Sequence, residues 1–295
     1  MLSIIISSYQ KSYYDQFEKN IEASIGTDFQ YEIIKIENPG IMGICSAYNL
    51  GASKAKFPYF LFVHEDVQFE TQNWGDKLVQ HLKRPEVGIV GLAGANRKTK
   101  MMSSWYQLST GNNDANRFYY RQIFKFQERE PELRVNNPFY EDISPVITLD
   151  GLFLAIESSK FNQFKFDENL LKSFHGYDLD FSLSVSTRYQ NIVIYDILLT
   201  HFSEGKVNEL WENEVLLVHK KWMNLLPLVN AILKDEELDV IENQVFYETL
   251  NRVFSYGISK VAKLIIVWRL LTTYKIQSKI FDRSFIIELK HKLLN

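Results

Sequence analysis

Hydrophobic and polar positions alternate with two different rhythms along the chain, and the change comes near residue 205. Leu2 to Ser7 is a short β-branched run, the pattern of a strand buried on both faces of a parallel sheet. Tyr13 to Ile25 carries Phe17, Ile21 and Ile25 at helical spacing, and Gly26 stops it. Tyr31 to Ile36 reads as a second strand, followed by a turn at Asn38, Pro39 and Gly40. Cys45 to Ala55 predicts a helix rich in small residues, closed before Pro58. Tyr59 to Val63 is a third strand, Trp74 to Leu82 an amphipathic helix, and Val87 to Leu92 a fourth strand. This β-α-β-α-β order predicts an α/β, doubly wound sheet.

The rhythm fails between Asn96 and Ser144, a stretch rich in Asn, Arg and aromatic residues and broken by Pro131 and Pro138. Irregular segments of that length inside a compact domain are commonly functional, and Trp105, Tyr106, Tyr119 and Tyr120 favour an ordered segment over a site. Strand character returns from Val146 to Ile156, interrupted at Asp150 and Gly151. Phe174 to Tyr189 reads as a loop and a helix, Asn191 to Leu198 as a last strand, with His201 just beyond it. Past Gly205 only helical spacing is left. The expectation is a catalytic domain over 1–205 and a helical C-terminal region over 206–295.

Composition narrows the class. Of 295 residues, 46% are hydrophobic and 23% charged, which suits a globular chain with a full core. The net charge of -3 gives no case for nucleic acid, and none is expected as a partner. Cys45 is the single cysteine, so an internal disulfide and a Cys-rich zinc site are excluded. It reads as a small apolar filler, compatible with a reducing compartment. The first residues lack the basic start and cleavage pattern of a secretion signal, and no apolar stretch approaches the ~20 residues of a membrane span. A cytoplasmic protein is expected. Val261 to Tyr274 mixes Leu264, Ile265, Ile266, Val267, Trp268, Leu270 and Leu271 with Lys263 and Arg269. Two readings stay open for it: a helix lying on an anionic membrane surface, or one packed on its own domain or in a homodimer.

Four groups of residues could carry chemistry. His64, Glu65 and Asp66 follow a buried strand, at the sheet edge where open α/β folds bind ligands. Their carboxylates suit Mg²⁺ or Mn²⁺, or else cap the next helix. Asp178 and Asp180 open a helix, where they either cap it or leave one carboxylate to act as a general base. His201 sits near a strand end on the same predicted edge. Gly151, beside Asp150, allows close backbone approach to a ligand or marks a bulge. His81, His219 and His291 lie in polar helical surroundings and are read as surface residues.

Taken in order, these pieces resemble the GT-A glycosyltransferases, close to their family-2 group, over residues 1 to about 205. Ile4 to Tyr9 resembles the nucleotide-binding first strand, and Ile36 to Gly40 the turn that holds the base. Ala47, Asn49 and Gly51 resemble the Ala-x-Asn-x-Gly helix. His64-Glu65-Asp66 stands where the Asp-x-Asp metal motif is found, Leu149-Asp150-Gly151 resembles the acceptor-side glycine loop, and Tyr177 to Asp180 the Glu-Asp-x-Asp motif that carries the base. His201 matches the late metal-binding histidine.

The resemblance implies a GT-A mixed sheet flanked by helices, with transfer from a nucleoside diphosphate sugar, UDP favoured, to a glycan or lipid-linked hydroxyl. Inversion is implied, with Mn²⁺ or Mg²⁺ as cofactor on Asp66 and His201 and with Asp178 as base, Asp180 being the fallback. Ser7, Tyr9, Glu37, Asn49, His64, Glu65, Asp66, Asp150 and Gly151 are the implied donor-binding residues. His64 and Tyr177 depart from the family pattern, which keeps a non-catalytic sugar-nucleotide-binding module as the alternative. A nucleotidyltransferase would carry a Gly-rich basic turn after the first strand, and Ser7 to Lys11 does not supply one. The Lys-, Ile-, Asn-, Phe- and Tyr-rich composition suggests an AT-rich bacterial genome, in which surface polysaccharide synthesis would fit.

Overall fold

The structure, a computed structural model, describes residues 1–106, 118–126, 128–203, 205, 207–230 and 235–274, the side chains of 235–239 and 273–274 excepted. The first half of the chain supplies β1 (Leu2–Ser8), α1 (Lys11–Ser24), β2 (Tyr31–Glu37), α2 (Ile44–Lys54), β3 (Tyr59–Val63), β4 (Val67–Phe69), α3 (Trp74–Leu82), β5 (Val87–Gly91), β6 (Ala93–Ala95), β7 (Arg97–Lys98), β8 (Phe118–Phe124) and β9 (Glu132–Asn136). The second half adds β10 (Ile143–Val146), β11 (Thr148–Leu149), β12 (Phe153–Glu157), α4 (Ser158–Phe164), α5 (Tyr177–Ser186), β13 (Gln190–Ile194), β14 (Leu199–His201), α6 (Glu209–Trp222), β15 (Leu228–Val229), α7 (Asp235–Ser255) and α8 (Lys260–Tyr274).

β1 shows why the sheet forms. Leu2, Ile4 and Ile6 point into one apolar cluster with Phe17 and Ile21 of α1 and Trp74 and Leu78 of α3. Ile5 points to the opposite cluster, with Ile44, Cys45 and Tyr48 of α2. A strand covered on both faces has no polar side to present, hence the unbroken β-branched run. Gly51 lets α2 lie close, because a Cβ there would come within 2.3 Å of Ile5 Cγ2.

The main sheet runs β10-β13-β5-β12-β3-β1-β2. β1 pairs in parallel with β2 and β3, and β13 with β5, while β12 is antiparallel to both β3 and β5. A second sheet, β11-β6-β8-β14-β4 with β9 beside β8, is made largely of continuations of the first. His64, Glu65 and Asp66 join β3 to β4, Leu92 joins β5 to β6, Asp150 to Leu152 join β11 to β12, and Tyr195 to Leu198 join β13 to β14. The seam between the two sheets therefore collects every one of these connections.

Three expectations are corrected. The last strand is two strands, because the chain changes sheets at Tyr195 to Leu198, where Asp196 is held by His81. The stretch from Asn96 to Ser144 contains β7, β8, β9 and the start of β10. β8 hid its period because aromatic and polar residues occupy both faces, Gln122 being buried. The region beyond Gly205 is not helix alone, since β15 pairs antiparallel with β7.

His81 and His219 are also not surface residues. His81 is buried against Asp196 at 3.1 Å. His219 is fully buried, its Nε2 accepting from Ser103 N at 3.3 Å and its Nδ1 3.0 Å from Lys100 O. Both occupy the inner face of an amphipathic helix, and burial drives the His219 imidazole toward its neutral form. His291, Lys275, Lys279, Arg283, Lys290 and Lys292 lie outside the described residues.

Apolar residues of α6, α7 and α8, among them Val215, Phe246 and Leu270, belong to the same cluster as α2 and α5. Among the described residues, no helix is long and apolar enough to cross a membrane. Cys45 is buried, and burial pushes its thiol up, which suits an inert filler.

Candidate active site

β4 and β14 run antiparallel with His201 opposite Val67, one step from Asp66, and Phe202 N donates to Asp66 O at 3.0 Å. This pairing brings His201 Nε2 to 3.6 Å from Asp66 Oδ2. On the other side, His64 Nδ1 lies 3.9 Å from Asp66 Oδ1. One ligand atom from each of His64, Asp66 and His201 falls within 4.8 Å of the others. A carboxylate between two imidazoles, all facing one point, is a donor set that fits a divalent cation.

Electrostatics at the triad agree with that fit. Burial alone would raise the Asp66 carboxyl, but the imidazoles of His201 and His64 beside it hold it well below the usual carboxylate range. Burial pushes His64 down against the pull of Asp66, toward the neutral imidazole that ligates metals. Tyr177 Oη is 2.8 Å from His64 Nε2, so the distal nitrogen of that ring is fixed by a hydrogen bond. Gly151 makes room for this phenol, since a Cβ would lie 2.2 Å from Tyr177 Oη.

Asp150 and Asp178 extend the cluster. Burial raises Asp150, and the charges of His201 and His64 oppose the rise. Asp178, in the first turn of α5, is pushed up to about 7 by burial and by the negative charge of Asp150, although backbone N–H groups of Leu179 and Gly151 favour its ionised form. A carboxylate held near neutrality can take or hold a proton. Lys98 lies near enough to feel both Asp178 and Glu242. It is fully buried, and burial lowers its ammonium to about 7. Its Nζ donates to Ser103 O and Oγ at 2.5 Å each, and to Ser104 O at 3.1 Å, tying down the segment after β7.

The other expected residues are distributed as follows. Ser7 Oγ accepts from Asn38 Nδ2 at 3.0 Å, at the end of β1. Tyr9 is exposed at the rim, edge-on to Tyr13. Glu65 turns away from the triad and is buried, its Oε1 accepting from Tyr9 N at 3.0 Å and Gln10 N at 2.8 Å. It thus holds the turn after β1. Glu37 is exposed and pairs with Lys35 at 2.5 Å. Asn49 exchanges two hydrogen bonds with the backbone of Phe166, at 2.9 and 3.1 Å, which anchors α2 to the loop after α4. Asp180 is 2% exposed and held by α6, accepting from Trp222 Nε1 at 2.7 Å and Lys221 Nζ at 2.9 Å.

Sequence reasoning did not foresee His64 as a third member of the triad, Tyr177 as its partner, or Lys98. The order His64-x-Asp66 was a usable signal for the first. Nothing local marks Lys98, which pairs with β15 and whose ammonium is enclosed by the segment after β7.

Comparison with protein-family models matches residues 3–224 to a family described as "Glycosyltransferase like family". Comparison with curated proteins gives no match. Among solved structures, the chain resembles S. aureus TarS 1-349 in complex with UDP-GlcNAc (TM-score 0.57, 12% identity, covering 95% of this chain and 82% of that one). It also resembles GalNAc-T7 with UDP, GalNAc and Mn²⁺ (TM-score 0.52, 12% identity), covering 99% of this chain but spanning only 59% of that one. At such identities the likeness is one of fold. With the family match extending over most of its length, the chain belongs to a glycosyltransferase-like family and has the GT-A fold.

Proposed function

We propose that the protein transfers a glycosyl group from a nucleoside diphosphate sugar, UDP favoured, to a hydroxyl of a glycan or lipid-linked acceptor, with inversion. The observation that carries this reading is the triad of His64, Asp66 and His201 beside the Asp150–Asp178 pair on one seam. The ligands named for the two solved structures, UDP-GlcNAc for TarS and UDP, GalNAc and Mn²⁺ for GalNAc-T7, support the same reading.

His64, Asp66 and His201 would hold Mn²⁺ or Mg²⁺, which when bound neutralises charge on the leaving diphosphate. Two imidazoles in the donor set favour Mn²⁺, since Mg²⁺ prefers an all-oxygen shell. His64 would act through Nδ1, the nitrogen that faces Asp66, in the tautomer whose Nε2–H donates to Tyr177 Oη. Ser7, Tyr9 and Glu37 border the nucleoside, with Glu65 holding the turn at Tyr9 and Gln10. Asp150 and Gly151 face the transferred sugar.

Asp178 then takes the acceptor hydroxyl proton as that oxygen bonds to the anomeric carbon. The bond from that carbon to the diphosphate oxygen breaks, its electrons leaving with the diphosphate. Asp180, occupied by Lys221 and Trp222, positions the helix that presents Asp178.

A thermal-shift screen of nucleotide sugars, with and without Mn²⁺, tests the proposal. The expected result is a rise of several degrees with one donor, dependent on the cation. If no nucleotide or nucleotide sugar shifts the melting temperature with Mn²⁺ present, the reading fails.

A further inference from the structure

α8 has two apolar faces, and only one is covered. Ile266, Val267 and Leu270 are buried in the shared core. Val261, Leu264, Ile265 and Trp268 are 66%, 44%, 45% and 65% exposed. They recur at i, i+3, i+4 and i+7, which puts all four on one stripe opposite the buried face. A solvated helix face would be polar, so this stripe calls for a cover.

Charge says what covers it. Lys260 and Arg269 border the stripe, both exposed. From Arg252 to the last residue the sequence has nine basic and two acidic residues, in a chain whose net charge is -3. Arg269 donates to Asn213 Oδ1 of α6 at 2.9 Å. On α6, Leu210 and Leu217 share the face of Asn213 and are themselves exposed. A Trp- and Leu-bearing stripe rimmed by cations matches the boundary between anionic headgroups and acyl chains. A second copy of the chain would set these same cations against themselves.

We infer that the exposed stripe of α8, which ends in Trp268, docks the protein on the surface of a bilayer containing anionic lipid. The inference does not depend on the sugar-transfer reading.

The test is co-sedimentation of the full chain with vesicles of phosphatidylcholine alone or mixed with phosphatidylglycerol. Binding is expected to the mixed vesicles, to weaken with salt, and to be nearly absent from phosphatidylcholine. The pair Ile265→Glu and Trp268→Glu should reduce binding at least about tenfold while leaving the melting temperature unchanged, because both side chains are exposed. A blue shift of tryptophan emission on the mixed vesicles, lost in Trp268→Phe, gives an independent readout. Absence of binding, or binding that the double variant leaves intact, overturns the inference. So does a doubled mass in light scattering that the double variant abolishes, since the stripe would then be a seam between two copies.

Discussion

Tyr177 Oη and His64 Nε2 stand 2.8 Å apart, joining the first turn of α5 to the end of β3. Each departs from the residue that the resemblance implies at its position, and the two departures meet. A histidine ligand needs a partner on its distal nitrogen to fix tautomer and orientation, and this phenol is placed to be one. Burial raises the phenol far above its ordinary range, so it stays protonated at every working pH.

Tyr177→Phe keeps the ring and removes the hydrogen bond. Mn²⁺ affinity should fall about tenfold with little loss of stability, as outer partners of metal ligands usually behave. Titration of the variant with Mn²⁺ checks this, and unchanged affinity would free His64 of any need for Tyr177.

Gly151→Ala should damage the same contact from the other side. The added Cβ meets Tyr177 Oη at 2.2 Å and its Cζ at 2.5 Å, closer than side chains tolerate. Tyr177 is buried and cannot swing away freely. A loss on the order of 1–3 kcal/mol is expected, measured by chemical denaturation, together with weaker Mn²⁺ binding.

Asp178→Asn should lower turnover by about 10²–10⁴-fold while leaving donor binding nearly intact. The same change should stabilise the fold. The folded carboxyl titrates at about 7 against an ordinary 3.8, so the folded state binds the extra proton between those values. Wild-type stability therefore falls as pH rises from about 4 to about 7 and is level above that. The gain from Asn should grow over the same window to something on the order of 1–3 kcal/mol, as melting curves at pH 5 and pH 8 would show.

Asp180→Asn separates the two carboxylates of α5. Asp180 is buried and bonded to Lys221 and Trp222, and Lys221 also pairs with Asp167 at 2.9 Å, so the change removes one charge partner of Lys221 while the amide oxygen can still accept from Trp222. The expected cost is on the order of 1–3 kcal/mol, with turnover per folded molecule changed far less than in Asp178→Asn. Activity assays scaled by folded fraction decide which carboxylate is the base.

Much of the main sheet was legible because β1, β3 and β5 are buried on both faces, where burial leaves an unbroken apolar run. Trp74–Leu82 was legible because α3 has a single wet face. The second sheet was not, because four of its six strands are only two or three residues long and begin where strands of the first sheet end. A period needs more residues than β4, β6 or β14 provides. Asp66 and His201 could be named from their positions after strands. Their distance could not, since it is set by the pairing of β4 with β14, residues far apart in the sequence. Asn49 and Glu65 illustrate the converse: polar residues at motif positions whose hydrogen bonds hold the scaffold around the site.

His64, Asp66 and His201 are proposed to hold one divalent cation at the sheet seam. Electron paramagnetic resonance of Mn²⁺ titrated into the full chain, with and without UDP, measures this directly. The expected result is a single bound Mn²⁺ per chain, tightened by UDP, with affinity reduced at least about tenfold by Asp66→Asn and by His201→Ala. Mn²⁺ binding that is equally tight in both variants, or no binding in the parent chain with UDP present, would contradict it.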